Sequence, residues 1–174
     1  MLVHLDAAYR FARWLCRGVG DADDIVQEAV LRAFRAYDTT RVDDPRAWLL
    51  AIVRNCHLTA AKHRRDEAVV AMGEDGEGLL AALPDTSPGP AEQTAQAEVR
   101  RWLTRLLARL PADHREVLVL RELEDMSYRQ IVTVTSLPMG TVMSRLSRAR
   151  AALKSEWERL QALNTSEEGS RGML

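Results

Sequence analysis

The side chains best suited to chemistry in this sequence lie in the stretch SLPMGTVMSRLSRAR, at positions 136–150. On a helix whose buried face is centred on Val142, the opposite face combines small hydroxyl side chains with arginine. Small polar side chains let a helix approach DNA closely, and arginine bonds guanine edges or phosphates. The solvated basic face of an ordinary amphipathic helix would show the same pattern. The outward and flanking residues are Thr141, Met143, Ser144, Arg145, Ser147 and Arg148.

A short helix and a tight connection precede this stretch and help to decide between the two interpretations. Ser127 is a favourable N-cap residue, and Gln130 three positions later completes a capping-box pattern. We therefore predict a short helix over 127–135 and a long helix from Thr141 to about residue 162. A short helix, a turn and a longer helix form a helix-turn-helix, whose second helix enters the major groove. This arrangement favours DNA binding.

Composition favours an all-α protein, because apolar residues make up 47% of the chain and aromatic residues only 5%. No run reaches the roughly 18 apolar residues of a membrane span, and the N-terminus lacks a signal pattern, so we expect a cytoplasmic protein. We predict two small helical domains joined by a flexible acidic linker, with the helix-turn-helix in the second. The predicted boundaries are 1–65 for the first domain, 66–91 for the linker, 92–163 for the second domain and 164–174 for a frayed tail.

Helical periodicity predicts two helices in the first half of the first domain, over 4–17 and 21–37. Asp21 suits the N-cap of the second of these helices. Its outward face is acidic and polar, yet it includes Leu31, and an apolar residue exposed among polar ones favours a docking surface over a merely solvated face. That face comprises Asp24, Gln27, Glu28 and Leu31, opposite a buried stripe of Ala22, Val26, Ala29, Ala33 and Tyr37.

The third predicted helix begins near Pro45, since proline is favoured at the first helical position. Its buried stripe is predicted to hold Leu49, Val53, Cys56 and Ala60. The opposite face is basic and polar and carries Arg54, Asn55, Leu58, Lys62 and Arg65. Two more helices are predicted over 91–110 and 113–124, ahead of the helix-turn-helix.

Two regions of the chain together resemble the extracytoplasmic-function (ECF) sigma factors of bacterial RNA polymerase. LPADHREVLVLRELEDMSYRQI and LPMGTVMSRLSRARAAL resemble the C-terminal DNA-binding domain of that family. DADDIVQEAVLRAFRAYD and PRAWLLAIVRNCHLTAAKHRR resemble its N-terminal domain. Both matches occur in family order around a family-like linker, which is more specific than a lone helix-turn-helix.

The resemblance implies a role for each surface. The face with Asp24, Gln27, Glu28 and Leu31 would dock on the clamp coiled coil of the largest subunit of core RNA polymerase. The outward face of the long helix, between Thr141 and Arg148, would read the minus-35 promoter element as duplex. The loop and basic face around the third helix would engage the melted minus-10 element, since cations can bind the DNA backbone and an aromatic platform can hold an unstacked base. For Trp48, core packing is an equally good interpretation. This minus-10 set is Arg46, Trp48, Asn55, Lys62 and Arg65.

Four positions depart from the family pattern. Thr59 stands where Asp is usual, Val132 replaces a small Ala, Ser136 replaces the Gly of the turn, and Met143 stands where Lys or Arg is common. Val132 and Ser136 could alter the angle between the two helices, and Met143 removes a phosphate contact. These changes affect the expected promoter preference rather than the fold.

Other classes of function fit less well. A stand-alone helix-turn-helix regulator would need a dimer surface or a ligand pocket, and neither is visible in the sequence. The histidines and cysteines lack metal-ligand spacing, so we expect no enzyme, no metal, no cofactor and no small-molecule substrate. Cys16 and Cys56 lie in apolar stripes and should be buried structural thiols. The expected partners are core RNA polymerase, promoter DNA and, by resemblance, an anti-sigma factor.

The net charge of −1 conceals a basic–acidic–basic distribution. Residues 66–98 contain eight acidic residues and no basic one, and without them the rest of the chain carries +7. We hypothesise that this segment partly shields the DNA-binding faces; an acidic linker that serves solubility is the alternative. The eight residues are Asp66, Glu67, Glu74, Asp75, Glu77, Asp85, Glu92 and Glu98.

Neutralising these eight acids to Asn and Gln should tighten DNA binding by the free protein at low salt. The gain should shrink as salt rises, because exposed charges are screened beyond about 8–10 Å. DNA titrations of both proteins over a salt series test this, and equal affinities at low salt would disprove shielding.

Overall fold

The structure, a computed structural model, describes residues 2–16, 19–37, 41–71 and 95–171. All regular elements of the described residues are helical, which confirms the all-α prediction. A 3-10 turn at Leu2–His4 precedes the first helix. The helices are α1 (Leu5–Leu15), α2 (Val19–Tyr37), α3 (Pro45–Ala71), α4 (Ala95–Ala108), α5 (Ala112–Leu118), α6 (Tyr128–Thr135) and α7 (Met139–Arg171), with a π-helical segment at Val119–Leu123 between α5 and α6.

Helices α1–α3, here called the N-terminal unit, pack against one another in pairs. Alanine dominates the buried stripe of α2, with Ala22, Ala29 and Ala33 fully buried. Such small side chains allow helices to approach closely. The larger apolar side chains come from the neighbouring helices, including Phe11 on α1 and Leu50 on α3. α3 begins at Pro45, as predicted, and the Asp44 carboxylate caps it by accepting a hydrogen bond from the Ala47 N–H at 3.0 Å.

Helices α4–α7 and the π-helical segment form the second part, here called the C-terminal unit. Val142, Leu146 and Ala149 of α7 are buried, as the periodicity predicted, and α7 packs on both α5 and α6. The rings of Trp102 and Trp157 meet edge to face at 4.1 Å and join α4 to α7. These contacts fix the direction in which α7 presents its outward face.

Several predicted boundaries in the N-terminal unit are wrong. α2 begins at Val19, so Asp21 lies inside its first turn and does not cap it. Tyr37, predicted to be buried, is 52% exposed. Val26, also predicted to be buried, is half-buried, and its neighbour Ile25 is buried instead. α3 continues to Ala71, six residues beyond the predicted end at 65, because no glycine or proline interrupts DEAVVA.

The C-terminal unit also differs from the prediction at its helix ends. The helix predicted over 113–124 is α5 followed by the π-helical segment, in which the Glu124 N–H bonds the Val119 carbonyl at 3.0 Å. α7 extends to Arg171, through most of the predicted tail, although this stretch includes Asn164, Thr165 and Gly169, which are weak helix formers. Residues 72–91 of the predicted linker lie outside the described residues.

The two units contact each other directly. α3 packs against α6, and α1 packs against α5 and the π-helical segment. The helix-turn-helix thus lies against the helix that carries the predicted minus-10 residues. No helix in the described part combines the length and apolar character needed to cross a membrane.

The capping box predicted at α6 is present, with the Ser127 Oγ accepting from the Gln130 N–H at 3.3 Å and the Gln130 side chain accepting from the Ser127 N–H at 2.8 Å. Ser127→Ala should therefore lower the free energy of unfolding by about 1 kcal/mol, because a helix donor loses its partner. Chemical denaturation of the full chain followed by circular dichroism measures this. Ser155→Ala, an exposed serine within α7, is the control; equal stabilities of the two variants would show that the cap contributes nothing.

Candidate nucleic-acid interface

The turn between α6 and α7 places Ser136 in a backbone conformation that glycine adopts more readily. Ser136 adopts a left-handed conformation with φ 56° and ψ 25°, which costs an L-residue about 1 kcal/mol. Its N–H bonds the Val132 carbonyl at 2.8 Å, and the Leu137 N–H donates to the Thr135 hydroxyl at 3.4 Å. These two hydrogen bonds keep the turn compact with serine at position 136.

The outward face of α7 is built largely as predicted. Met143, Ser144, Ser147 and Arg148 are exposed, and Thr141 is half-buried. Within the described residues, Arg148 forms no ion pair, whereas the Arg145 guanidinium lies 3.7 Å from the Asp113 carboxylate of α5. Arg148 is therefore the cation of this face that is best placed to contact DNA.

The basic face of α3 is a real surface. Trp48, Asn55 and Lys62 are spaced by seven residues, so they lie on one side of a helix, and Arg65 is one turn further on. Asn55, Lys62 and Arg65 are exposed. Trp48 is half-buried and packs against the core, which fits the core-packing interpretation.

Arg46 does not join that face. It precedes Asn55 by nine residues, which places it on the opposite side of α3. Its Nη2 donates to the Glu124 Oε2 at 2.7 Å. Arg10 of α1 donates to both oxygens of the same carboxylate, at 2.9 and 2.8 Å, and this hydrogen bond raises the pKa of Arg10 above its usual range. Glu124 is only 1% exposed, and two guanidinium groups from the N-terminal unit balance its charge.

Two further polar contacts cross between the units. Arg54, predicted on the outward face of α3, is instead half-buried and donates to the buried Glu116 at 2.6 and 3.4 Å. The Gln130 amide donates to Asp44 at 2.7 Å, so the residue that completes the α6 cap also holds the residue that caps α3. The hydrogen bond from the Ala47 N–H lowers the pKa of Asp44, and the bond from the Gln130 amide lowers it further. The ionised Asp44 carboxylate therefore stabilises the fold above its unfolded pKa, and this stabilisation is lost as pH falls through the folded pKa.

Sequence reasoning missed these contacts between the units. A signal existed in the spacing of Glu116, Leu120 and Glu124 by four residues, which places both acids beside a fully buried leucine. A carboxylate at a buried position requires a cation. No local pattern could identify that cation, because Arg10 and Arg46 lie far away in the chain.

The outward face of α2 is exposed as predicted and is more apolar than expected. Asp24 and Gln27 are exposed, and Glu28 is half-buried and accepts a hydrogen bond from Arg32 at 2.6 Å. Leu31 is 51% exposed, and Phe34, three residues later on the same side, is 56% exposed. Phe34 was missed as a surface residue, although its spacing from Leu31 indicates it.

Both cysteines are buried, which confirms that prediction, and neither forms a disulfide. Burial raises the pKa of the Cys16 thiol to about 11 and lowers the pKa of His57, whose Nδ1 lies 3.6 Å from the Cys16 sulfur. Both groups are therefore neutral near pH 7. Among the described residues, no group of three His, Cys, Asp or Glu side chains is arranged to hold a metal ion.

Known protein families match both units. The family Sigma-70 region 2 matches residues 2–67, and the family Sigma-70, region 4 matches residues 100–153. The first match covers α1–α3 with the basic face of α3, and the second covers the helix-turn-helix.

Individual relatives agree with the family matches. The probable RNA polymerase sigma factor RfaY of Xanthomonas campestris is 34% identical over 90% of this chain, which spans only 38% of that protein. The sigma factor RpoE from Bartonella quintana, solved in complex with the anti-sigma factor NepR, is similar with a TM-score of 0.72 and 26% identity, over 90% of this chain and 93% of that one. The ECF RNA polymerase sigma-E factor of Escherichia coli is 34% identical over 79% of this chain and 74% of its own length. The chain therefore belongs to the ECF sigma factors of RNA polymerase, the family that directs the polymerase to promoters.

Proposed function

We propose that this chain binds core RNA polymerase through the outward face of α2 and recognises two promoter elements through α3 and α7. It acts by binding, without a cofactor of its own, and works in the cytoplasm beside the polymerase. The observation that carries this proposal is the exposed face of α7, presented by a capped helix-turn-helix with Arg148 directed outward.

The α7 face supports reading of a minus-35 duplex. Exposed Ser144 and Ser147 are small enough to let the helix enter a major groove, and Arg148 can bond a guanine edge bidentately. The Arg145 guanidinium lies 3.7 Å from the Asp113 carboxylate, which partly neutralises its charge. We therefore assign Arg145 to a phosphate contact at the edge of the groove rather than to a base contact.

The α3 face supports binding of a melted minus-10 strand. Lys62 and Arg65 supply positive charge for the backbone, and Asn55 supplies an amide that can hydrogen-bond a base. Trp48 is only half-buried, so it is the candidate platform for a base. Arg46 is not part of this surface, because it lies on the opposite side of α3 and is held on Glu124.

The α2 face supports polymerase docking. Leu31 and Phe34 form an exposed apolar strip beside Asp24, Gln27 and Glu28, which is the combination of anchors and polar rim typical of protein interfaces. An anti-sigma factor is proposed as a second protein partner, because the similar RpoE structure contains one.

Run-off transcription with core polymerase and genomic fragments, followed by mapping of start sites, tests the whole proposal. We expect starts downstream of a shared pair of elements, only when the chain is present. Binding to palindromic operators without any stimulation of core polymerase would instead indicate a stand-alone helix-turn-helix regulator.

Glu28→Lys combined with Leu31→Ala should weaken core polymerase binding by about 1–3 kcal/mol, since an interface anchor is truncated and a charge is reversed. A core-binding titration measures the change, and circular dichroism should show unchanged helicity. Glu158→Lys is the matched control, because it also reverses the acid of an i,i+4 pair on an exposed helix. Unchanged affinity of the double variant would remove this face from the interface.

Arg148→Ala should cost about 1–3 kcal/mol of promoter affinity, and the loss should vary with the minus-35 sequence if the side chain reads a base. Arg150→Ala is the control, because Arg150 is exposed on the same helix but pairs with Glu122 at 2.7 Å. Equal weakening of every promoter, with a smaller salt slope, would make Arg148 a phosphate contact. Loss of helicity would make it a structural residue.

A further inference from the structure

Two exposed methionines lie at the start of α7, on the flank of its proposed DNA face. Met139 is 38% exposed and Met143 is 52% exposed. They are four residues apart, so their side chains lie one turn apart on the same side of the helix. Single apolar residues are common on protein surfaces, whereas adjacent ones beside a proposed binding face indicate an apolar contact with the ligand.

The first turns of α7 offer DNA few other side-chain groups. Gly140 has no side chain, and Thr141 is half-buried. The Ser144 hydroxyl donates to the Thr141 carbonyl at 3.1 Å, so its hydrogen is used within the helix. Apolar contact by Met139 and Met143 is therefore the main interaction that this end of α7 brings to a base pair.

The cation of this face lies on its other flank. Arg148 follows Met143 by five residues, which turns it about 140° around the helix axis. Ser144 and Ser147 lie between the two flanks, and both are exposed. The apolar flank and the Arg148 flank therefore meet different groups of the DNA.

Thymine is the base that offers an apolar group to such a flank. Its C5-methyl group projects into the major groove, where the other bases present hydrogen-bond donors and acceptors. Methionine suits contact with a methyl group, because its unbranched, polarisable side chain adapts to irregular apolar surfaces.

We propose that Met139 and Met143 select thymine in the minus-35 element by packing on its C5-methyl group. This inference rests on the proposed reading of that element by α7, and it adds the base that the first turns of α7 select.

Deoxyuridine tests the contact directly, because it differs from thymidine only by the absence of the C5-methyl group. On promoters mapped by the run-off assay, each thymine of the shared upstream element is replaced singly by deoxyuridine, on either strand. Competition binding with the chain assembled on core polymerase gives the affinities. We expect at least one thymine whose replacement weakens binding about fourfold, the effect of one buried methyl group.

The double variant Met139→Ala, Met143→Ala should bind the thymine and deoxyuridine promoters equally. Met143→Leu should keep the preference for thymine, since leucine has a similar volume and keeps the apolar contact. Leu123→Ala is the matched control, because Leu123 is an apolar residue of the C-terminal unit that is 39% exposed and lies outside α7. Circular dichroism should show unchanged helicity for all these variants, as the substituted side chains are exposed.

An upstream element without thymine on either strand would overturn the proposal, as would one in which no deoxyuridine replacement weakens binding. A thymine preference that survives in the double alanine variant would also overturn it, because another group would then contact the methyl. The proposed function fails differently: the run-off assay would then yield no shared upstream element, whereas a shared element without methyl dependence contradicts only the role of the methionines.

Discussion

A carboxylate with almost no exposed surface must have counter-charges, and Glu124 finds both of its arginines in the other half of the chain. The π-helical segment at Val119–Leu123 sets the position of this residue, because its widened turn ends with the Glu124 N–H on the Val119 carbonyl. This one carboxylate joins both α1 and α3 to the end of the π-helical segment. Without Arg10 and Arg46, the same packing would leave a buried, unbalanced charge, which is strongly unfavourable.

Helix capping links local structure to the contact between the units. Gln130 completes the capping box of α6 with its carbonyl oxygen and uses its amide nitrogen on Asp44, the cap of α3. The start of the helix-turn-helix and the start of the proposed minus-10 helix are therefore joined through one side chain. Any movement that separates the units must break this bond, but it leaves each helix with its own cap, so both units can keep their internal structure.

Local signals predicted most of the fold and the outward faces. The period of Val142, Leu146 and Ala149 set the buried side of α7, and the capping pattern at Ser127 set the start of α6. Helix ends were less predictable: α3 passes position 65 because nothing there opposes helix propagation. The partners of Glu116 and Glu124 could not be predicted, because pairing between distant residues depends on tertiary packing that no local period encodes.

The placement of the arginines explains how a chain with a net charge of −1 can carry faces suited to DNA. Arg10, Arg46 and Arg54 serve contacts between the units, and Arg145 and Arg150 lie beside acids of the C-terminal unit. These cations balance internal carboxylates and add little to the outward field. Within the described residues, Lys62, Arg65 and Arg148 have no such partner, and they lie on the two faces proposed to meet DNA. The net charge of the chain therefore says little about DNA binding. A DNA phosphate is attracted by the local potential of cations that are not neutralised by ion pairs within the protein.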